Sequence, residues 1–145
     1  MGPFSCVVIG EGNAAFNCLQ HLLDKGCAVN VVFTNTEDIF KFCDSRELRV
    51  LKRNACIEEC IEAKSFDYLF SVNNPRILSP EVLSLPRCFS INYHDSPLPQ
   101  YAGVNATCWA LLRGETTHGI SWHIVEPGID TGDILQAQSV QFPSA

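Results

Sequence analysis

Clustered positive charge is what this sequence most conspicuously lacks: ten Lys and Arg are scattered among sixteen Asp and Glu in 145 residues, for a formal net charge of −6. Without a basic patch there is no field to hold a phosphate backbone, which excludes nucleic acid as a primary partner. Long apolar runs are also missing. The first, FSCVVI at residues 4–9, is broken by Gly10 far short of the roughly 20 residues a membrane span needs. No charged leader precedes it, and Cys6 stands where a myristoylation signal needs Ser or Thr. A soluble, unanchored, cytoplasmic protein with no membrane partner is expected. Internal repeats and low-complexity linkers are absent too, so residues 1–145 read as a single domain.

Cysteine, by contrast, is plentiful, with eight residues. Cys6, Cys18, Cys27, Cys88 and Cys108 lie in apolar segments, which reads as buried reduced thiols and not as a disulfide framework. Cys56 and Cys60 stand at i,i+4, but no second Cys/His pair follows at ligand spacing, so they are read as helix-face packing and no metal is expected.

Short apolar runs alternate with helical patterns. FSCVVI reads as a strand, residues 14–23 as a helix stopped at Gly26, and Ala28–Phe33 (AVNVVF) as a second strand. Residues 36–43 and 55–63 read as helices, the second with Asn54 as N-cap candidate, and no strand is placed between them. Residues 67–72 (DYLFSV) form a strand, Ser79-Pro80-Glu81 opens a short helix, and residues 88–93 form the next strand. A helix over 105–113 and strands over 119–125 and 133–140 complete the chain. The pattern predicts an α/β fold: a doubly wound, mostly parallel, Rossmann-like sheet with helices on both faces and a site at the carboxyl ends of its strands.

Two strand ends hold candidate chemistry. Gly10-Glu11-Gly12-Asn13-Ala14-Ala15 fits the weaker form of a dinucleotide turn, but the second strand ends in Phe33-Thr34-Asn35 with no acid for a ribose hydroxyl. Two readings of the turn stand side by side: a cradle for a phosphate or other acceptor anion on Gly10, Gly12 and Asn13, or glycines needed only for helix and sheet to pack. The other end is Ser90–Pro99, SINYHDSPLP. Residues two apart on a strand face the same way, so Asn92 and His94 share a face while Tyr93 and Asp95 point oppositely. An Asn amide and an imidazole so placed could grip an oxygen as negative charge grows on it, or be a satisfied polar pair. Asp130, in the EPGIDTG turn between later strands, is the carboxylate best placed to orient the imidazole, with Gly128 and Gly132 letting its loop reach over. His123 lies on a strand, either structural or near an acceptor. His21 and His118 look like surface or turn residues.

Four pieces, DYLFSVNNPRILSPEVL, INYHDSPLPQYAG, WALLRGETTHGISWHIV and GIDTGDIL, closely resemble the folate-dependent formyltransferases, a family including glycinamide ribonucleotide, methionyl-tRNA and sugar formyltransferases. The resemblance covers about half the chain and implies the formyltransferase fold, with Asn92, His94 and Asp130 as the catalytic trio. It further implies a 10-formyltetrahydrofolate donor, with its pterin near Arg76, Ile77 and Leu78 on one side and Glu126, Gly128 and Ile129 on the other; Ile77 and Leu78 read equally well as core. The acceptor would be a small-molecule or carrier-bound amine. Asn74-Pro75 stands where many relatives have a bulky apolar residue, and the chain ends at QFPSA, sooner than such catalytic domains usually do. That implies a piece of a longer chain, with further domains of a multienzyme as partners. A hydrolase of the same donor, or a non-catalytic folate-binding module, would share the motifs.

Overall fold

A computed structural model of the chain describes residues 2–142, which fall into two compact units divided between Ser90 and Ile91. In the first, β1 (Ser5–Gly10), β2 (Ala28–Thr34), β3 (Val50–Lys52) and β4 (Tyr68–Val72) pair in the order β3-β2-β1-β4, all parallel. The chain winds from β1 outward to β3 and then crosses back to β4 on the other side of β1. That reversal opens a crevice at the carboxyl ends of β1 and β4.

Strand alternation explains the two layers of helix. Val7, Ile9, Val31, Phe33 and Leu69 point to one face and form a buried cluster with Ile57, Ile61, Val82 and Leu85 from α3 (Ile57–Cys60), α4 (Pro80–Leu83) and their flanks. Val8 and Val32 point the other way. There α1 (Gly12–Asp24) packs on β1, β2 and β4, and α2 (Glu37–Ser45) on β2 and β3, burying Ala15, Leu19, Leu22, Ile39 and Cys43. The doubly wound α/β architecture is therefore present.

Two expectations about this unit need correction. The helix expected over residues 55–63 shrinks to α3, capped by Cys56 and not Asn54, because Ile61 turns extended at φ −134°, ψ 131° to enter the core. The short β3, absent from the sequence reading, lies between α2 and α3. The Ser79-Pro80 start holds: Ser79 Oγ accepts from the Val82 N–H at 3.3 Å.

The second unit is antiparallel. β5 (Phe89–His94) enters it from the first, α5 (Ala106–Leu112) follows, and β6 (Thr117–Ile124) pairs with β5 and with β7 (Ile134–Gln141). Tyr93 and Trp122, cross-strand partners, meet edge to face with ring centroids 5.2 Å apart. Of α5 only Ala106 and Ala110 are buried, so Cys108 is exposed despite its apolar neighbours; Cys88, at the entry to β5, is exposed as well, and both were expected inside. Cys6 and Cys27 are buried and Cys18 is half-buried. His118 is corrected in the opposite sense. It is the second residue of β6, is buried, and stacks on Phe142 at 5.2 Å while its Nε2 lies 2.6 Å from the Asp95 carbonyl.

Candidate active site

The second unit gathers its polar side chains where β5 ends. The ladder pairs Asn92 with His123 and His94 with Ser121, so alternation sets Asn92 and His94 on one face of β5 opposite β6 residues that are themselves buried. After His94 the strand stops, and residues 96–103 fold back as a fixed loop. Ser121 Oγ donates to the Ser96 carbonyl at 2.7 Å and accepts the Leu98 N–H at 3.0 Å, while Ser96 Oγ donates to the Gln100 carbonyl at 2.7 Å. Pro97 lies over Gly119, where a Cβ would come within 3.2 Å of the proline Cβ and 2.7 Å of the Gln138 carbonyl oxygen.

That loop delivers two backbone groups to the centre. The Tyr101 carbonyl oxygen is 2.9 Å from His94 Nε2, and the Gly103 N–H donates to Asp130 Oδ2 at 2.7 Å. Asp130 Oδ2 is also 3.5 Å from His94 Nδ1, and Oδ1 is 3.4 Å from His123 Nε2. One carboxylate thus stands between two imidazoles whose centroids are 6.5 Å apart. Asn92 Nδ2 reaches His123 Nε2 at 3.1 Å. Asp130 itself sits at φ 52°, left-handed backbone that Asp tolerates better than most residues.

Hydrogen-bond logic assigns the ring protons. A carbonyl only accepts, so His94 Nε2 carries a proton toward Tyr101, leaving Nδ1 to the carboxylate. His123 Nδ1 is 2.9 Å from the Ile124 carbonyl and by the same argument carries its proton there. The expected trio is brought together. What the sequence reading missed are the Tyr101 carbonyl, the Gly103 N–H and the Ser121 clamp; only Ser121 left a signal, through its period-two spacing with His123.

The remaining site candidates fall on loops. In the second unit Glu126, Gly128 and Ile129 are exposed on the turn before Asp130, and Ile129 is 73% accessible. In the first unit Arg76 Nη1 donates to the carbonyls of Arg53 and Ala55, at 3.1 and 2.9 Å. Ile77 is 93% exposed and no part of the core, whereas Leu78 packs against the core cluster. At the glycine turn, the packing reading explains Gly10: a Cβ there would collide with the Val72 carbonyl oxygen and lie 2.7 Å from Ala15 Cβ. Gly12 has φ +67° and its N–H donates to Thr36 Oγ1 at 2.8 Å. Asn13 is exposed.

Residues 6–143 match the family described as formyl transferase. The chain belongs to that family. Among relatives, it is 38% identical over 85 residues to a methionyl-tRNA formyltransferase of Cyanothece sp., covering 59% of this chain and 25% of that one. Two solved formyltransferase structures are similar. Phosphoribosylglycinamide formyltransferase from Bacillus halodurans has a TM-score of 0.77 at 18% identity, over 96% of this chain and 80% of that one. The N-formyltransferase from Helicobacter canadensis, solved with folinic acid and dTDP-3-aminofucose, has a TM-score of 0.76 at 25% identity, over 94% and 52%. The chain spans about a quarter of the length of the methionyl-tRNA formyltransferases it matches.

Proposed function

We propose that this member of the formyl transferase family moves a formyl group from 10-formyltetrahydrofolate to a small or carrier-bound amine, with Asn92, His94 and Asp130 as its catalytic residues. The observation that carries the reading is the Asp130 carboxylate held beside His94 Nδ1 while His94 Nε2–H faces only a backbone carbonyl. A carboxylate at Nδ1 fixes the orientation of the ring, so that Nε2–H stays aimed into the site.

As the amine nitrogen bonds to the formyl carbon, the formyl oxygen becomes an oxyanion, a stronger acceptor than the neutral Tyr101 carbonyl. It takes over the Nε2–H as its charge grows, so the bond is stronger in the transition state than in the ground state, which is the condition for raising kcat. A free N–H of the Asn92 amide supplies a second donor that does not titrate. Asp130 holds His94 and helps accept the proton that the attacking nitrogen sheds, directly or through water. When the carbon–nitrogen bond to the folate breaks, that proton goes to the departing nitrogen. Arg76, Ile77 and Leu78 in the first unit, and separately Glu126, Gly128 and Ile129 in the second, are the candidates for donor recognition; Ile77 and Ile129 each offer exposed apolar surface.

The test is a donor-consumption assay with and without a panel of amines, on the wild type, His94→Ala and Asp130→Asn. Both variants should lose on the order of a hundredfold or more in rate, with circular dichroism unchanged. Rates equal to wild type would contradict the assigned roles. Consumption at full rate without amine would make water the acceptor; folate binding with no turnover under any condition would leave only a binding module.

A further inference from the structure

The two hydrogen bonds of His123 constrain a group that it does not itself present to the substrate. Nδ1 carries its proton toward the Ile124 carbonyl at 2.9 Å. Nε2 has Asn92 Nδ2 at 3.1 Å and Asp130 Oδ1 at 3.4 Å. An amide nitrogen only donates, so its partner Nε2 must offer a lone pair, and the ring is the neutral Nδ1–H tautomer. Were Nε2 protonated instead, it would turn to Asp130, and the Asn92 amide would have to rotate its oxygen inward. The two arrangements exclude each other, and cross-strand pairing of Asn92 with His123 leaves the amide no other partner of this kind on β6.

We propose that His123 is a positioning residue for formyl transfer: its bare Nε2 holds the Asn92 amide with nitrogen turned inward, so that the second N–H of Asn92 points at the reacting carbonyl. The proposal rests on the formyl-transfer reading for its kinetic arm alone. A freely rotating amide would present its oxygen part of the time, and a carbonyl dipole aimed at a growing oxyanion repels it. Burial makes the constraint effective, because His123 is only 2% exposed and bulk solvent has little access to Nε2. Asp130 shares the role by discouraging any acceptor oxygen from approaching beside its own.

Two substitutions separate this role from a merely structural one. His123→Gln can place an amide oxygen near the old Nε2 and keeps an acceptor for Asn92, whereas His123→Leu keeps bulk and removes the acceptor. His123→Leu should lower kcat roughly ten- to hundredfold, at or below the loss from deleting an oxyanion donor, with the donor KM within about threefold. His123→Gln should recover to within about threefold of wild type. In an Asn92→Ala background, His123→Leu should cost nothing further, since residues acting as one unit are not additive. The same fold loss in both backgrounds, or a Gln variant as poor as Leu, would overturn the proposal. A second measurement stands apart from activity: nitrogen-15 NMR of the full chain should show His123 Nε2 as an unprotonated, pyridine-like nitrogen. A protonated Nε2 with an unprotonated Nδ1 would overturn it even in a protein with no measurable transfer. Failure of the kinetic arm beside the expected tautomer, in a chain that does transfer formyl, would refute the positioning role and leave the function standing.

Discussion

Replacing Ser121 with Ala tests whether the loop after β5 is held by one hydroxyl. The side chain is fully buried and makes two hydrogen bonds, accepting the Leu98 N–H at 3.0 Å and donating to the Ser96 carbonyl at 2.7 Å. At about 1 kcal/mol net for each, their loss costs about 2 kcal/mol, and leaving both backbone groups unpaired would raise that further. Leu98 N and the Ser96 carbonyl also approach each other at 3.0 Å across the turn, so they satisfy one another in part and the cost stays near the lower figure. For a chain of this size, about 2 kcal/mol lowers Tm by roughly 6 °C. Both tryptophans, Trp109 and Trp122, lie in the second unit, so their fluorescence during heating reports the part in question. The same loop carries the Tyr101 carbonyl to His94 and the Gly103 N–H to Asp130, so its loosening should also lower kcat about tenfold. Ser139→Ala on the exposed β7 is the control and should move neither quantity. A Ser121→Ala protein melting within about 1 °C of wild type at unchanged kcat would refute the clamp.

Two further outcomes follow. The Ser5 backbone N–H and hydroxyl, then Arg87, pull the Asp67 carboxyl down to about 2 from its ordinary 3.8, so its contribution to stability is complete above about 4 and is lost as pH falls through 2. Asp67→Asn should therefore be less stable than wild type at neutral pH, and acid titration of stability should show the gap closing between pH 4 and pH 2; a constant gap would refute the linkage. Burial pushes the Cys6 and Cys18 thiols up to about 12, while Cys56, Cys88 and Cys108 are exposed. Iodoacetamide at pH 8 followed by mass spectrometry should label the three exposed thiols first and Cys6 and Cys18 only after unfolding; early labelling of Cys6 would contradict its placement.

How much could be read in advance depended on whether a residue's own chemistry or its neighbours set its place. β1, β2 and β4 were legible because each is an apolar run closed by Gly, Asn or Pro. β3 was not: three residues, Val50–Lys52, flanked by Arg49 and Arg53, carry too little pattern to stand out. α5 misled the burial of Cys108, since an apolar helix that buries only two alanines leaves Trp109 and Leu112 outside. At the site, period-two spacing placed Asn92 and His94 together, and the turn placed Asp130. The Tyr101 carbonyl and the Gly103 N–H could not be found that way, because a backbone group has no residue identity to signal it. His118 was misplaced because TTHG reads as a turn, while the antiparallel ladder starts at Thr117 and carries it inside.

The glycine turn shows how the same residues settle two questions. A pyrophosphate cradle needs backbone N–H groups left free and no negative charge among them. Here Glu11 brings its own carboxylate to the turn, where it accepts from Thr36 Oγ1 at 2.7 Å, from the Asn35 N–H at 2.9 Å and from Thr34 Oγ1 at 3.2 Å, and pairs with Arg53 at 3.2 Å. The end of β2, which lacks the acid that would hold a ribose, instead offers donors, and it is Glu11, the residue between β1 and α1, that takes them. An incoming phosphate would meet a carboxylate already neutralised by Arg53, and the Gly12 N–H is committed to Thr36. The turn therefore ties β1, β2 and the start of α1 together by hydrogen bonds, while Gly10 allows β4 and α1 to close on β1. With the switch point of the parallel sheet occupied by the protein's own charge, the proposed chemistry is left to the end of β5, where His94 meets Asp130. In the proposed transfer, the His94 Nε2–H leaves the Tyr101 carbonyl for the stronger acceptor, the growing oxyanion.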